Sequence, residues 1–134
     1  MKINLTGYSD IGGRPNQQDS FGVIPSANPT GPHLVVVLDG AGGHNHGAQA
    51  SKLALKQVTQ MAKDIRSGMT PDEVLEALGS MVAQAHDKIT KNAQANYDSK
   101  GMASTIVLAC VLDGNAHIVW AGDSRAYLFR DGNL

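Results

Sequence analysis

The chain has 134 residues, 42% of them hydrophobic and 17% charged, with a formal net charge of −1. That is enough for one small domain with its own core, and the composition is too apolar for a disordered segment. The near-zero charge argues against a nucleic acid or an anionic membrane recruited by bulk electrostatics, and no apolar run approaches a membrane span.

The first seven residues lack the apolar core of an export leader, so a cytoplasmic location is expected. Residues 3–9 alternate loosely and read as a strand, and 20–24 as a second; between 25 and 32 three prolines and a glycine mark a loop. Residues 34–38 are the third strand. A helix is expected over 47–66, with Ala48, Ser51, Ala54, Leu55, Val58, Met61, Ala62 and Ile65 on one face, ended by Ser67-Gly68. Thr70-Pro71-Asp72-Glu73 then carries the parts of a helix start: a capping hydroxyl, a proline for the first turn, and a glutamate to close a capping box. Val74, Leu75, Leu78, Val82, Ala85 and Ile89 give this second helix its apolar stripe as far as about residue 94, and the short connection predicts that the two helices lie antiparallel. Strands are expected over 104–112, 116–121 and 124–130. Asp113-Gly114 is the hairpin signal between the first two, and Asp131-Gly132 is a second turn signal. Tyr127, Leu128 and Phe129 would then stand beside an unpaired edge, so either a longer polypeptide or another chain is expected to supply a strand there. The single cysteine, Cys110, falls in an apolar run, so it is read as a buried small hydrophobe, and an intrachain disulfide is excluded.

The stretch richest in chemistry is Leu34-Val35-Val36-Val37-Leu38-Asp39-Gly40-Ala41-Gly42-Gly43-His44. Five apolar residues in a row suit a strand covered on both faces. They run straight into an acid, and glycines then allow close backbone approach to a ligand. A carboxylate beside exposed carbonyls is hard-oxygen chemistry, which suits Mg²⁺, Mn²⁺ or Ca²⁺. Alone, the stretch is equally compatible with a plain strand-to-helix connection capped by an acid. His44 and His46 have a His-x-His spacing, but no cysteine or further histidine lies nearby to complete a zinc site.

Three more segments join it. Gly12-Gly13-Arg14-Pro15-Asn16-Gln17-Gln18-Asp19-Ser20-Phe21 precedes it, and Gly101-Met102-Ala103-Ser104-Thr105 and Ala121-Gly122-Asp123-Ser124-Arg125-Ala126-Tyr127-Leu128 follow. In this order the four motifs resemble the metal-dependent Ser/Thr protein phosphatases of type 2C, in their bacterial form. The resemblance runs over nearly the whole chain and covers the N-terminal portion of that family's catalytic domain.

The resemblance implies an α+β fold, the α-β-β-α sandwich of two antiparallel sheets flanked by helix pairs, with residues 1–134 as the N-terminal part of a single domain. It implies hydrolysis of phosphoserine and phosphothreonine in proteins, with water activated by two Mn²⁺ or Mg²⁺ ions. Asp39 matches the aspartate that bridges the metals, and Gly40 the residue whose carbonyl reaches one of them. Arg14 matches the arginine that grips the substrate phosphate, as a guanidinium fork suits phosphate oxygens. Gln18 and Asp19 match the pair that acts through metal-bound water, and Gln17 stands where Asn is usual. His44 and the Asp123-Ser124-Arg125 segment are expected to hold loops and strand ends by hydrogen bonds. The family's two further metal-binding aspartates lie in its C-terminal half, and no matching segment occurs here. The implied partners are a phosphorylated protein, an opposing Ser/Thr kinase, and either a second copy or the C-terminal half to complete the fold. The alternative is a truncated, non-catalytic phosphatase-like module acting in binding or regulation.

Overall fold

The apolar run at 34–38 becomes the centre of a sheet. In the computed structural model, which describes residues 2–43 and 45–134, five strands form an antiparallel array: β1 (Asp19–Ile24), β2 (His33–Ala41), β3 (Ala103–Ser104), β4 (Ile106–Leu112) and β5 (Asn115–Ala121). Their order is β1-β2-β4-β5, with β3 paired to the end of β2 beyond β4. Two helices, α1 (His46–Met61) and α2 (Pro71–Ala95), cover one face. The bonds Gln49 to Asn92 (3.1 Å) and Gln57 to Gln84 (3.1 Å) run in opposite residue order along the two helices, so they are antiparallel, as their short connection predicts.

Alternation decides what each face meets. Leu34, Val36 and Leu38 of β2, with Leu108 and Cys110 of β4, point into the helices and are buried. Ala50, Ala54 and Val58 of α1 and Val74, Leu78 and Met81 of α2 meet them there. Each fully buried Leu contributes roughly 1.5–3 kcal/mol of transfer free energy. Burial also pushes the Cys110 thiol up to about 11, so it stays an inert core group. The opposite face carries Phe21, Val37, Ile118 and Trp120, which remain exposed, Trp120 at 67%.

The second helix starts as its sequence predicts. Thr70 Oγ1 accepts from the Glu73 amide (3.3 Å), while the Glu73 carboxylate accepts from the Thr70 amide (2.7 Å), a complete capping box with Pro71 in the first turn. The first helix is shorter than its periodicity suggests. It ends at Met61, a 3-10 turn follows at Ala62–Asp64, and Ile65 reaches the core from extended backbone. The helical stripe is right about Ser51, Ala54, Val58, Ala62 and Ile65, leaves Ala48, Leu55 and Met61 only partly buried, misses the buried Ala50 and Gln57, and is wrong about how Ile65 gets there.

Three expected strands differ. Residues 3–9 and 124–130 are irregular, because no neighbouring strand among the described residues offers them a ladder, and strand propensity without a partner does not fix a strand. The Asp131-Gly132 turn does form, with positive φ at both residues and a bridge between Arg130 and Asn133. The run 104–112 is interrupted at Thr105, for a reason that lies in the site. The resulting architecture is one antiparallel sheet with a helix pair on one face.

Candidate active site

The site is built where β2 runs out. Asp39 is directly across from Asp19 in the β1–β2 register, so both carboxylates leave the same face of the sheet side by side. Gly40 follows, packed against Gly47 at the start of α1. A Cβ at Gly40 would fall inside the Gly47 carbonyl, and one at Gly47 inside the Gln18 side chain. Only glycine permits this approach, which lays the first turn of α1 across the strand end. The Gln18 carbonyl fastens the junction by accepting from the Gly40 amide (3.2 Å) and from the buried Ser51 hydroxyl (2.7 Å), which also bonds Ser20 Oγ (2.9 Å).

The loop before β1 brings Arg14 to the same place. It turns at 11–14, where Gly12 has φ +56° and the Arg14 amide donates to the Ile11 carbonyl (3.2 Å). Asp10 braces the turn, accepting from the Gly12 amide and the Tyr8 hydroxyl; these two bonds hold its carboxyl below the usual range. Gln17, which stands where Asn is usual, has a definite job. Its Oε1 accepts from the Asp19 amide (3.1 Å) and its Nε2 donates to Ser9 Oγ (2.7 Å), so it steadies the residue opposite Asp39. Arg14, Gln18, Asp19, Asp39 and the Gly40 backbone line one cleft of about 600 Å³.

Electrostatics marks this cleft. Loss of water around the Asp39 carboxyl raises its pKa first, the charge of Asp19 and a hydrogen bond shared with it raise it further, and Asp123 adds to the effect; Arg14 pulls the other way. Two carboxylates, Asp19 and Asp39, thus share one strand end, with the charges of Asp123 and Arg14 within reach, an arrangement that a hard cation would relieve. The donors available are oxygens, from Asp39, Asp19 and the Gly40 carbonyl, which fits a divalent ion of the Mg²⁺ or Mn²⁺ kind. Among the described residues no group of three or more His, Cys, Asp or Glu is arranged to hold a metal. His44 lies outside the described residues; His46 opens α1, its amide donating to the Gly43 carbonyl (3.2 Å).

Sequence reasoning brings together the residues that share the cleft, Arg14, Gln18, Asp19, Asp39 and Gly40, but not what fastens them. It places Asp123 among the structural residues, whereas the fold sets its charge within reach of Asp39. It gives Thr105 no role of its own, yet the amide and carbonyl of Asp39 both bond to Thr105. The available signal is a hydroxyl residue opening an otherwise apolar strand run.

Comparison with known proteins decides the family. The family model for protein phosphatase 2C matches residues 6–134. The chain belongs to the protein phosphatase 2C family. It is 30% identical over 121 residues to the serine/threonine phosphatase stp of Listeria welshimeri, covering 90% of this chain and 47% of that protein. It is 31% identical over 121 residues to the serine/threonine protein phosphatase PstP of Mycobacterium tuberculosis, covering 90% of this chain and 21% of that protein. Among solved structures, a bacterial serine phosphatase superposes with a TM-score of 0.77 at 28% identity, covering 92% of this chain and 49% of the other. The Mycobacterium tuberculosis PstP/Ppp structure gives 0.72 at 30% identity, covering 88% and 46%. The chain thus spans half or less of each of these relatives, and the one sheet with its helix pair matches a portion of the protein phosphatase 2C fold.

Proposed function

We propose that this chain is the N-terminal part of a protein phosphatase 2C catalytic domain that removes phosphate from serine and threonine side chains of proteins. The observation that carries the reading is the convergence of Arg14, Asp19, Asp39 and Gly40 on one cleft, in the order of the family's motifs. Asp39 and Gly40 would hold the cations, with Gln18 and Asp19 acting on them through water. Mn²⁺ or Mg²⁺, two per complete site, supplies Lewis-acid charge and a lowered pKa for water when bound. Arg14 binds the phosphoryl oxygens of the substrate and orients the phosphorus toward the acidic strand end. The Asp19–Asp39 pair keeps negative charge concentrated there.

The remaining donors, and the cover for the open sheet face, would come from the C-terminal half of the domain or from a second copy. The expected partners are a phosphorylated protein and the kinase that it opposes. No helix of the described residues is long and apolar enough to cross a membrane, and a cytoplasmic location is part of the proposal. The incomplete donor set among the described residues favours a second reading for the chain taken alone, a non-catalytic phosphatase-like module in binding or regulation.

The test is made in the full-length protein. Asp39→Ala abolishes Mn²⁺-dependent hydrolysis of p-nitrophenyl phosphate while the circular dichroism spectrum is unchanged. Near-wild-type turnover in that variant overturns the assignment. Arg14→Ala raises KM for a phosphopeptide with little change in metal affinity; a large loss of Mn²⁺ binding by calorimetry contradicts its role.

A further inference from the structure

The β2 ladder changes character at one residue. The registers Val37↔Val107 and Gly40↔Ser104 leave Asp39 opposite Thr105 with no residue inserted. A regular antiparallel pair at this position would exchange two main-chain bonds. One is present, from the Thr105 amide to the Asp39 carbonyl (2.9 Å). The other is replaced: the Asp39 amide donates to the Thr105 side-chain Oγ1 at 3.0 Å. The Thr105 carbonyl instead accepts from Ser104 Oγ (2.8 Å). Having accepted from Asp39, the Thr105 hydroxyl retains a proton to donate, and Ser124 Oγ lies 2.7 Å away. Gly122 makes the approach possible. Its φ is +100°, and a Cβ there would press on the Thr105 methyl at 2.8 Å.

We propose that Thr105 is a positioning residue for the Asp39 carboxylate, its hydroxyl joining the end of β2 to the 122–124 turn through the chain Asp39 N–H, Thr105 Oγ1, Ser124 Oγ. The proposal rests on the reading of Asp39 as a metal-holding residue and adds what fixes it. Both main-chain polar groups of Asp39 are held by one residue, so the backbone from which the carboxylate projects is pinned on both sides. The same hydroxyl fastens the turn that carries Asp123. A hydroxyl is required at 105: an aliphatic side chain of the same shape leaves the Asp39 amide without its acceptor.

Three variants of the full-length protein test this. Thr105→Val keeps the shape and removes the hydroxyl, Thr105→Ser keeps the hydroxyl, and Ser124→Ala removes the outer end of the chain. In metal-free protein, exchange of the Asp39 amide hydrogen is expected to speed up about tenfold in Thr105→Val, the loss of one hydrogen bond. Mn²⁺ affinity by calorimetry is expected to fall about tenfold, the low end for groups that orient a metal ligand, with KM for phosphopeptide little changed. Thr105→Ser restores both readouts to near wild type. Wild-type exchange and affinity in Thr105→Val overturn the proposal, and so does a Thr105→Ser variant as impaired as Thr105→Val. Should Thr105→Val fail to fold, Ser124→Ala decides: faster Asp39 exchange supports the proposal and unchanged exchange overturns it. Asp39→Asn separates the two readings. If it leaves Mn²⁺ affinity unchanged, the metal role of Asp39 and this proposal fall together. If it destroys Mn²⁺ binding while Thr105→Val does not, only the positioning role falls.

Discussion

The two faces of the sheet are built from equally apolar sequence and meet different surroundings. On the helix side, Leu34, Val36, Leu38 and Leu108 are buried to 1% exposure or less. On the other side, Val37 is 52% exposed and Trp120 67% exposed, with Phe21 and Ile118 beside them. Residues 124–127 reach over part of this open face near Val107, leaving a groove of about 400 Å³. Alternate residues of β2 are apolar on both faces, which is the pattern of a strand covered twice. The contrast teaches that the sequence encodes two layers of contact and that this chain supplies one of them. Asp39 stands on the open face, at the end of the same strand, so a cover for that face would lie beside the acidic cleft.

Substitutions should separate the faces. The largest effect is expected from Trp120→Asp in the full-length protein, about 4 kcal/mol or more if a second layer buries it, as for lost core aromatics and buried unpaired charge. In the 134-residue chain the same change should be nearly neutral; equal effects in both would mean that the face is open in the whole protein too. Leu38→Ala should cost about 3 kcal/mol in either form by urea denaturation, because its cover is already present, whereas Val37→Ala beside it should cost about 0.5 kcal/mol or less in the short chain. A Val37 effect as large as that of Leu38 would erase the distinction.

Smaller effects probe the junctions on the covered side. Ser51→Ala removes one of the two donors to the Gln18 carbonyl and the Ser51 bond to the Ser20 hydroxyl at a part-buried junction, for about 1 kcal/mol. Thr70→Ala removes the cap of α2 for about 1 kcal/mol. This last change has a pH signature. The Thr70 amide and then its side chain hold the Glu73 carboxyl below its ordinary value. A depressed acid stabilises the fold above its unfolded pKa, and that contribution is lost as pH falls through the folded value. Thr70→Ala removes only the side-chain part and keeps the amide, so it should flatten the acid limb of stability against pH slightly, whereas Glu73→Gln should flatten it fully; an unchanged limb in Glu73→Gln would show that the box adds nothing.

Much of the covered side was legible because its signals are local. The Thr70-Pro71-Asp72-Glu73 box, the stripe of α2 and the Asp113-Gly114 turn each depend on residues within one or two turns of chain. Met81 escaped the stripe although it is fully buried, and Leu75 was placed in it although it is exposed, because the buried arc of α2 is centred differently from the strict period. The site was legible as a set of residue types in order but not as a structure. The pairing of Asp19 with Asp39, the grip of Gln17 on Asp19, and the exchange of a main-chain acceptor for the Thr105 hydroxyl are all set by register between segments far apart in sequence. Residues 3–9 and 124–130 failed as strands for the same reason from the other direction: their propensity is local, but a strand is a relation to a neighbour.

The central claim is that this cleft belongs to a cation-dependent phosphatase acting on phosphorylated serine and threonine. The most direct measurement is release of phosphate from a phosphoseryl peptide by the full-length protein, before and after exhaustive dialysis against EDTA and again on adding back Mn²⁺. The account predicts loss of turnover to background on chelation and recovery with Mn²⁺. Turnover that is indifferent to EDTA, or an intact protein that hydrolyses no phosphoseryl peptide with Mn²⁺ present, would contradict it.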